Sequence, residues 1–215
     1  MLKRSSIERA LVTYANYHDP EVPFRLSLLG PALLASAAAI EKLPEQDSQW
    51  LPDRIHQAQD GTPLLRLGRY QVTQEMFDTT VAPIAQALAK SFKLSEEETQ
   101  QIQWDAFRTD RLLALLSTDP TRYLETVYGL DRNADLMDLW VMPTLGFAVR
   151  ALFAPVAENV SRELSKLDEP VTQKNRSLTC PTCGAHAELA IVGPTALNGQ
   201  VKELHCSCCG THWHF

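Results

Sequence analysis

Two C-x-x-C-G turns, Cys180-Pro181-Thr182-Cys183-Gly184 and Cys206-Ser207-Cys208-Cys209-Gly210, stand 22 residues apart at one end of a 215-residue chain. All five cysteines lie between positions 180 and 209, and the first 179 residues contain none. Each turn presents two sulfurs on one side of a tight knuckle. The glycine after the second cysteine permits a backbone in which amide N–H groups point at sulfur. Cys209 completes the C-x-x-C register that begins at Cys206 and precedes Gly210, which leaves Cys208 as the spare thiol. The sequence therefore assigns Cys180, Cys183, Cys206 and Cys209 as ligands of one ion. Four sulfurs in a tetrahedron suit iron and zinc alike, so the element stays open, as does the choice between a structural staple and a redox or metal-transfer centre.

Between the knuckles, Ala187 to Val192 and Val201 to Leu204 read as strands, with Gly193-Pro194 and Asn198-Gly199 in the loop joining them. Thr211 to Phe215 reads as a third strand. The unit is a rubredoxin-like or zinc-ribbon module, and 36 residues are too few to bury a self-sufficient core. Structural metal binding in such modules is worth roughly 10–16 kcal/mol at neutral pH, so this part is expected to need its ion to fold. Trp213 alternates with His212 and His214 along the third strand, which points it to the opposite face as a packing anchor. A closed four-cysteine site leaves His205, His212 and His214 outside the ligand set, near the metal or on the surface, and places His186 on the surface.

The rest of the chain is helical in pattern. Ile7, Ala10, Leu11 and Tyr14 mark the stripe of a first helix, and a second runs from Pro23 to Ile40 with an interruption expected at Gly30-Pro31. Leu43 to Pro52 reads as a loop, and Asp60 to Leu67 as a turn followed by an extended apolar stretch. Thr73 or Gln74 opens a helix to about Phe92 that Pro83 should kink. Ser95 with Glu98 forms a capping box for a helix expected to reach Leu116, and Asp119-Pro120 starts another that Gly129 ends. Asn133 caps a last helical stretch, Ala134 to about Leu167, apolar nearly all round and expected to kink or break at Pro143 and Pro155. Asp168 to Ser177 is a linker. The fold class is thus mainly α: an all-helical domain over 1–170, followed by a small β module over 171–215.

With 45% apolar and 21% charged residues the chain can bury a real core, and its formal charge of −6 argues against a polyanion partner. The module itself carries Lys174, Arg176 and Lys202 against Glu188 and Glu203, a net of 3 − 2 = +1 that falls to about −1 with four thiolates and a divalent ion. No nucleic-acid partner is expected. No Walker loop, dinucleotide fingerprint, nucleophile elbow or H-E-x-x-H helix occurs, so the chain is expected not to be an enzyme. Asp105, Asp110 and Glu125 fit solvated helix faces, and His18 and His56 have no partner pattern. The N-terminus lacks an apolar signal core. The apolar runs Leu26 to Ile40 and Leu139 to Val160 read as buried helices, giving a cytoplasmic protein without membrane insertion.

The tail also resembles a known family. Cys180-Pro181-Thr182-Cys183-Gly184, Leu204-His205-Cys206-Ser207-Cys208-Cys209 and Thr211-His212-Trp213-His214 are similar to the first metal motif of the formate dehydrogenase accessory proteins. That pattern includes the histidine before the third cysteine and the Trp-His after the fourth. Asp60-Gly61-Thr62-Pro63-Leu64-Leu65 looks like a weaker G-x-P-x-L match in the helical part. The resemblance implies a cytoplasmic maturation factor that binds the catalytic subunit of formate dehydrogenase during assembly, with iron or zinc held by Cys180, Cys183, Cys206 and Cys209. Family members continue into a second pair of C-x-x-C motifs. On this resemblance the chain is a short form with one metal module, or a truncated form. The alternative from the residues alone is a small rubredoxin-like electron-transfer protein with a helical docking domain.

Overall fold

The computed structural model describes residues 3–130, 134–167, 178–194 and 200–214. Among the described residues, nine α-helices precede a small sheet: α1 Arg4–Thr13, α2 Glu21–Ile40, α3 Leu51–Gln59, α4 Gln74–Phe92, α5 Glu96–Gln100, α6 Asp110–Thr118, α7 Pro120–Tyr128, α8 Ala134–Leu136 and α9 Met142–Leu164. Strands β1 Leu189–Pro194, β2 Gln200–His205 and β3 His212–His214 follow, in the order β1-β2-β3 with antiparallel pairing throughout. The mainly helical class with a zinc-ribbon-like tail is what the sequence pattern indicated.

The capping residues act where the sequence placed them. Thr73 Oγ1 accepts the Met76 amide at the head of α4, and Asp119 Oδ1 accepts the Arg122 amide at the head of α7. Ser95 and Glu98 complete a reciprocal capping box on α5. The cap expected at Asn133 and the linker from Asp168 to Ser177 lie outside the described residues.

Several expectations are corrected. α2 begins at Glu21 and runs unbroken through Gly30-Pro31. Its flanks are held by α1, α4 and α9, and packing of that kind outweighs the one amide donor that Pro31 lacks. Gly30 is where α1 crosses closest, because a Cβ there would lie 2.6 Å from Leu11 Cδ2. The presumed loop ends earlier than expected, and α3 buries Leu51, Ile55 and Ala58 at helical spacing. Leu64–Leu67 is a 3-10 turn and not an extended stretch. The single helix expected from Ser95 to Leu116 is three pieces, α5, a 3-10 turn at Trp104–Phe107 and α6. Thr109 restarts the chain by accepting the Leu112 amide, a second cap of the same kind as Ser95. Gly193 and Pro194 belong to β1, paired with Val201 and Gln200, instead of the loop.

The longest apolar stretch becomes the centre of the molecule. A π-turn, Met137–Val141, joins α8 to α9, and the Met142 amide donates to the Met137 carbonyl. This widened turn brings in Pro143, whose ring would clash with a regular preceding turn. The helix then continues through Pro155 without a break. Leu145, Leu152, Phe153 and Val160 on α9 are fully buried, with α2, α3, α4 and α7 packed around them. Both α2 and the stretch Ala134–Leu164 are long and apolar enough to cross a membrane, with 28% and 61% of their apolar windows buried in this fold. The apolar run Leu26 to Ile40 is lengthened at its start by the turn that begins at Glu21.

Three buried aromatic side chains place their polar tips on backbone carbonyls at distant points. Tyr70 donates to Leu152, Trp140 Nε1 to Ala85 at 2.9 Å and Tyr123 to Phe107 at 3.0 Å. The Tyr123 contact fixes the 3-10 turn that carries Trp104 against Trp140, ring centroids 5.4 Å apart. Tyr123→Phe should therefore lower stability by about 1–3 kcal/mol, because it leaves a buried carbonyl without its donor. Urea denaturation should show a lower midpoint at an unchanged slope.

Candidate metal centre

The two knuckles are built alike. In the first, the Gly184 amide donates to the Cys180 carbonyl at 2.9 Å and the Cys180 amide to Ala185. In the second, the Gly210 amide donates to Cys206 at 3.0 Å and the Cys206 amide to Thr211 at 2.9 Å. Gly184 and Gly210 close the turns at φ +83° and +85°, a region that residues with a Cβ rarely adopt.

The sheet brings the knuckles face to face. Cys180 Sγ lies 3.5 Å from Cys209 Sγ, and Cys183 Sγ lies 3.5 Å from Cys206 Sγ. All four sulfurs fall within 4.8 Å of one another and all four residues are buried. They form the one such group of His, Cys, Asp and Glu ligand atoms among the described residues. These separations are far beyond a disulfide bond. They approach the edge of about 3.8 Å expected for four sulfurs at about 2.3 Å from a shared ion. Cys208 is half-buried and outside the quartet, as the register argument required.

The donor set fits a cation on electrostatic grounds. Hydrogen bonds from Cys180, Cys183 and Cys209 hold Cys206 far below the ordinary thiol range. Hydrogen bonding, first to Cys180, drives Cys183 upward, and burial raises Cys209. A buried pocket does not hold four adjacent negative charges unaided. A central divalent or trivalent cation lets all four ionise. Around Cys209 the protein adds a buried hydroxyl pair. Thr211 Oγ1 lies 3.1 Å from Cys209 Sγ and 2.7 Å from Thr182 Oγ1. An ionised sulfur can only accept, so the pair then runs from Thr182 through Thr211 to Cys209.

The centre is fastened to the helical body rather than suspended from it. Leu64 and Leu65 donate their amides to the Pro181 and Thr182 carbonyls at 2.9 and 3.0 Å. Pro63 lies against the same knuckle, where a Cβ on Gly184 would come within 2.9 Å of its Cγ. On the other side the His212 amide donates to Ser161 Oγ of α9 at 3.1 Å. Leu204 and Trp213, directly paired across β2 and β3, are buried in the same core as α9, so Trp213 is the anchor the alternation indicated. The opposite sheet face carries Glu203, His205, His212 and His214. The His205 and His212 rings stack with centroids 5.7 Å apart. Burial holds His212 below its ordinary pKa against the opposing pull of Glu203.

The remaining residues singled out from the sequence are not drawn into the centre. His56 and His186 are exposed, and His18 stacks on Tyr17. Asp105 pairs with Arg108, while Asp110 and Glu125 are exposed. Two features were not read from the sequence. The first is the Thr182–Thr211 pair, whose signal was only a hydroxyl residue inside one knuckle and just after the other. The second is a groove of about 800 Å³ between α7, α9 and the knuckles, bordered by Leu124, Tyr128, Phe147, Glu188 and Cys208. No family model, curated protein or solved structure matches the chain.

Cys180→Ser and Cys209→Ser should each lose the bound metal, whereas Cys208→Ser should retain it at full stoichiometry by elemental analysis. Equal loss in the Cys208 variant would show that the ligand register is wrong. Chelation should also reach the body. Hydrogen exchange at the Leu64 and Leu65 amides should speed up when metal is removed, because their acceptors belong to the first knuckle, while amides in the middle of α4 stay protected. Gly184→Ala should destabilise the holoprotein by roughly 1–3 kcal/mol in thermal unfolding, from the positive φ together with the Pro63 contact.

Proposed function

We propose that this chain is a cytoplasmic accessory protein for the maturation of formate dehydrogenase. It binds the catalytic subunit of that enzyme during assembly and holds one iron or zinc ion on Cys180, Cys183, Cys206 and Cys209. The observation that carries the reading is a contact. The two stretches that resemble the accessory family, Gly61 to Leu65 and the C-P-T-C-G knuckle, are more than 110 residues apart in sequence, yet the first donates two backbone hydrogen bonds to the second.

The architecture suits a binding role. A rigid helical body supports the metal module, and the groove beside the knuckles offers apolar surface with Tyr128 and Leu189 exposed nearby. A client subunit with incompletely packed apolar segments is a fitting occupant. In this role the metal fixes the knuckles that form one wall of the groove. The protein's residues then bind and orient the client without performing the turnover chemistry.

Tagged protein expressed with formate dehydrogenase should retain the catalytic subunit through purification. Deleting the gene should reduce the activity of that enzyme while leaving the amount of its transcript unchanged. Failure to retain any formate dehydrogenase subunit, together with full enzyme activity in the deletion strain, overturns the reading. The visible spectrum of anaerobically purified protein identifies the ion: a red, reversibly reducible centre is iron, and a colourless protein with one equivalent is zinc.

A further inference from the structure

The polar face of the ribbon holds chemistry that the cysteine centre does not use. Antiparallel pairing sets Glu203 opposite His214 and His205 opposite His212, so one carboxylate and three imidazoles occupy a two-by-two array on neighbouring strands. Glu203 Oε1 lies 3.5 Å from His205 Nε2 and 3.7 Å from His212 Nε2. Those distances are too long for good hydrogen bonds. Each is close to the spacing of about 3.4 Å between two ligand atoms that each lie about 2.1 Å from a common tetrahedral ion, whereas the two imidazole Nε2 atoms stand more than 4.8 Å from each other, so the three ligand atoms are not yet gathered as the sulfurs are.

His205 Nε2 is completely shielded from solvent and has no hydrogen-bond partner. A buried nitrogen in that condition costs free energy unless something occupies it. Glu203, His205 and His212 all border a cavity of about 310 Å³ between the ribbon, α2 and α9. Arg150 and Glu158 line the same cavity with opposite charges. The face therefore has two ligand pairs that share the Glu203 carboxylate, an unsatisfied buried nitrogen and room for a further small ligand.

We infer that Glu203, His205 and His212 form a second metal site, selective for a divalent first-row transition ion and distinct from the cysteine quartet. Two imidazoles with one carboxylate and an open position make up a ligand set that takes zinc, cobalt, nickel or ferrous iron. Sulfur is absent from it, so its preferences differ from those of the four-cysteine centre. In the present arrangement the two rings stand apart, and metal entry draws His212 toward Glu203. His212 is the more exposed of the two histidines, with 46% of its side chain accessible, and is the one free to turn. The cavity leaves the fourth position to water or a small anion.

Cobalt titration of the full-length, reduced protein under anaerobic conditions separates the two sites. Cobalt on the cysteine quartet gives intense sulfur-to-metal charge-transfer absorption, whereas cobalt on imidazole and carboxylate gives only weak ligand-field bands. Wild type should take up two equivalents, the first with charge transfer and the second without. His212→Ala and Glu203→Gln should each lose the second equivalent and keep the first, with an unchanged far-ultraviolet circular dichroism spectrum. Three outcomes overturn the site: uptake that stops at one equivalent, a second equivalent that persists in His212→Ala and Glu203→Gln, or a second equivalent that adds charge-transfer absorption and so resides on Cys208. Absence of charge transfer from the first equivalent is a different failure, that of the cysteine centre, and is read from the same titration.

Discussion

The first cysteine knuckle has its two free carbonyls, Pro181 and Thr182, occupied by the amides of Leu64 and Leu65. A turn in the middle of the helical part is thereby tied to the metal module. The module has too little apolar surface to stand alone, and this junction supplies what it lacks. Pro63 fills the space that Gly184 leaves, Trp213 and Leu204 extend the core of α9, and Ser161 holds the start of β3. The residues that present the sulfurs are also residues of the core, so an ion held by them would be coupled to packing of the body.

This coupling gives the cysteine centre a meaning beyond a clip for a small sheet. The sulfurs lie inside, under the Thr182–Thr211 hydroxyls, while the outer surface of the knuckles forms one side of the apolar groove. The opposite face of the same sheet carries the histidine and glutamate array. One three-stranded sheet thus separates an apolar side that belongs to the core from a polar side that carries Glu203, His205, His212 and His214.

Much of this was legible because it rests on local chemistry. The knuckle spacing singled out the four cysteines whose sulfurs lie within 4.8 Å of one another and the one that stays outside them, since each C-x-x-C turn sets its two sulfurs on one side of a few residues. Thr73, Ser95 and Asp119 identified helix starts because a cap is made within three residues. Misreadings arose where distant packing overrode a local signal. Gly30-Pro31 is a helix breaker in isolation, but α2 is held along its length by three other helices. Leu64 to Leu67 has the composition of an extended segment. It is drawn into a 3-10 turn whose first two amides serve the knuckle.

The sequence by itself determined that this protein is a helical body with a four-cysteine ribbon, and which cysteines carry the site. These follow from capping, periodicity and ligand spacing, all of which act over a few residues. Only the tertiary structure decided that body and ribbon share one core, that the turn at Pro63 seats on the first knuckle, and that Glu203, His205 and His212 gather on one face. Each of these depends on which segments meet across more than a hundred residues or across paired strands. Composition and local pattern do not specify such meetings until burial of α9 has fixed where every other element must lie.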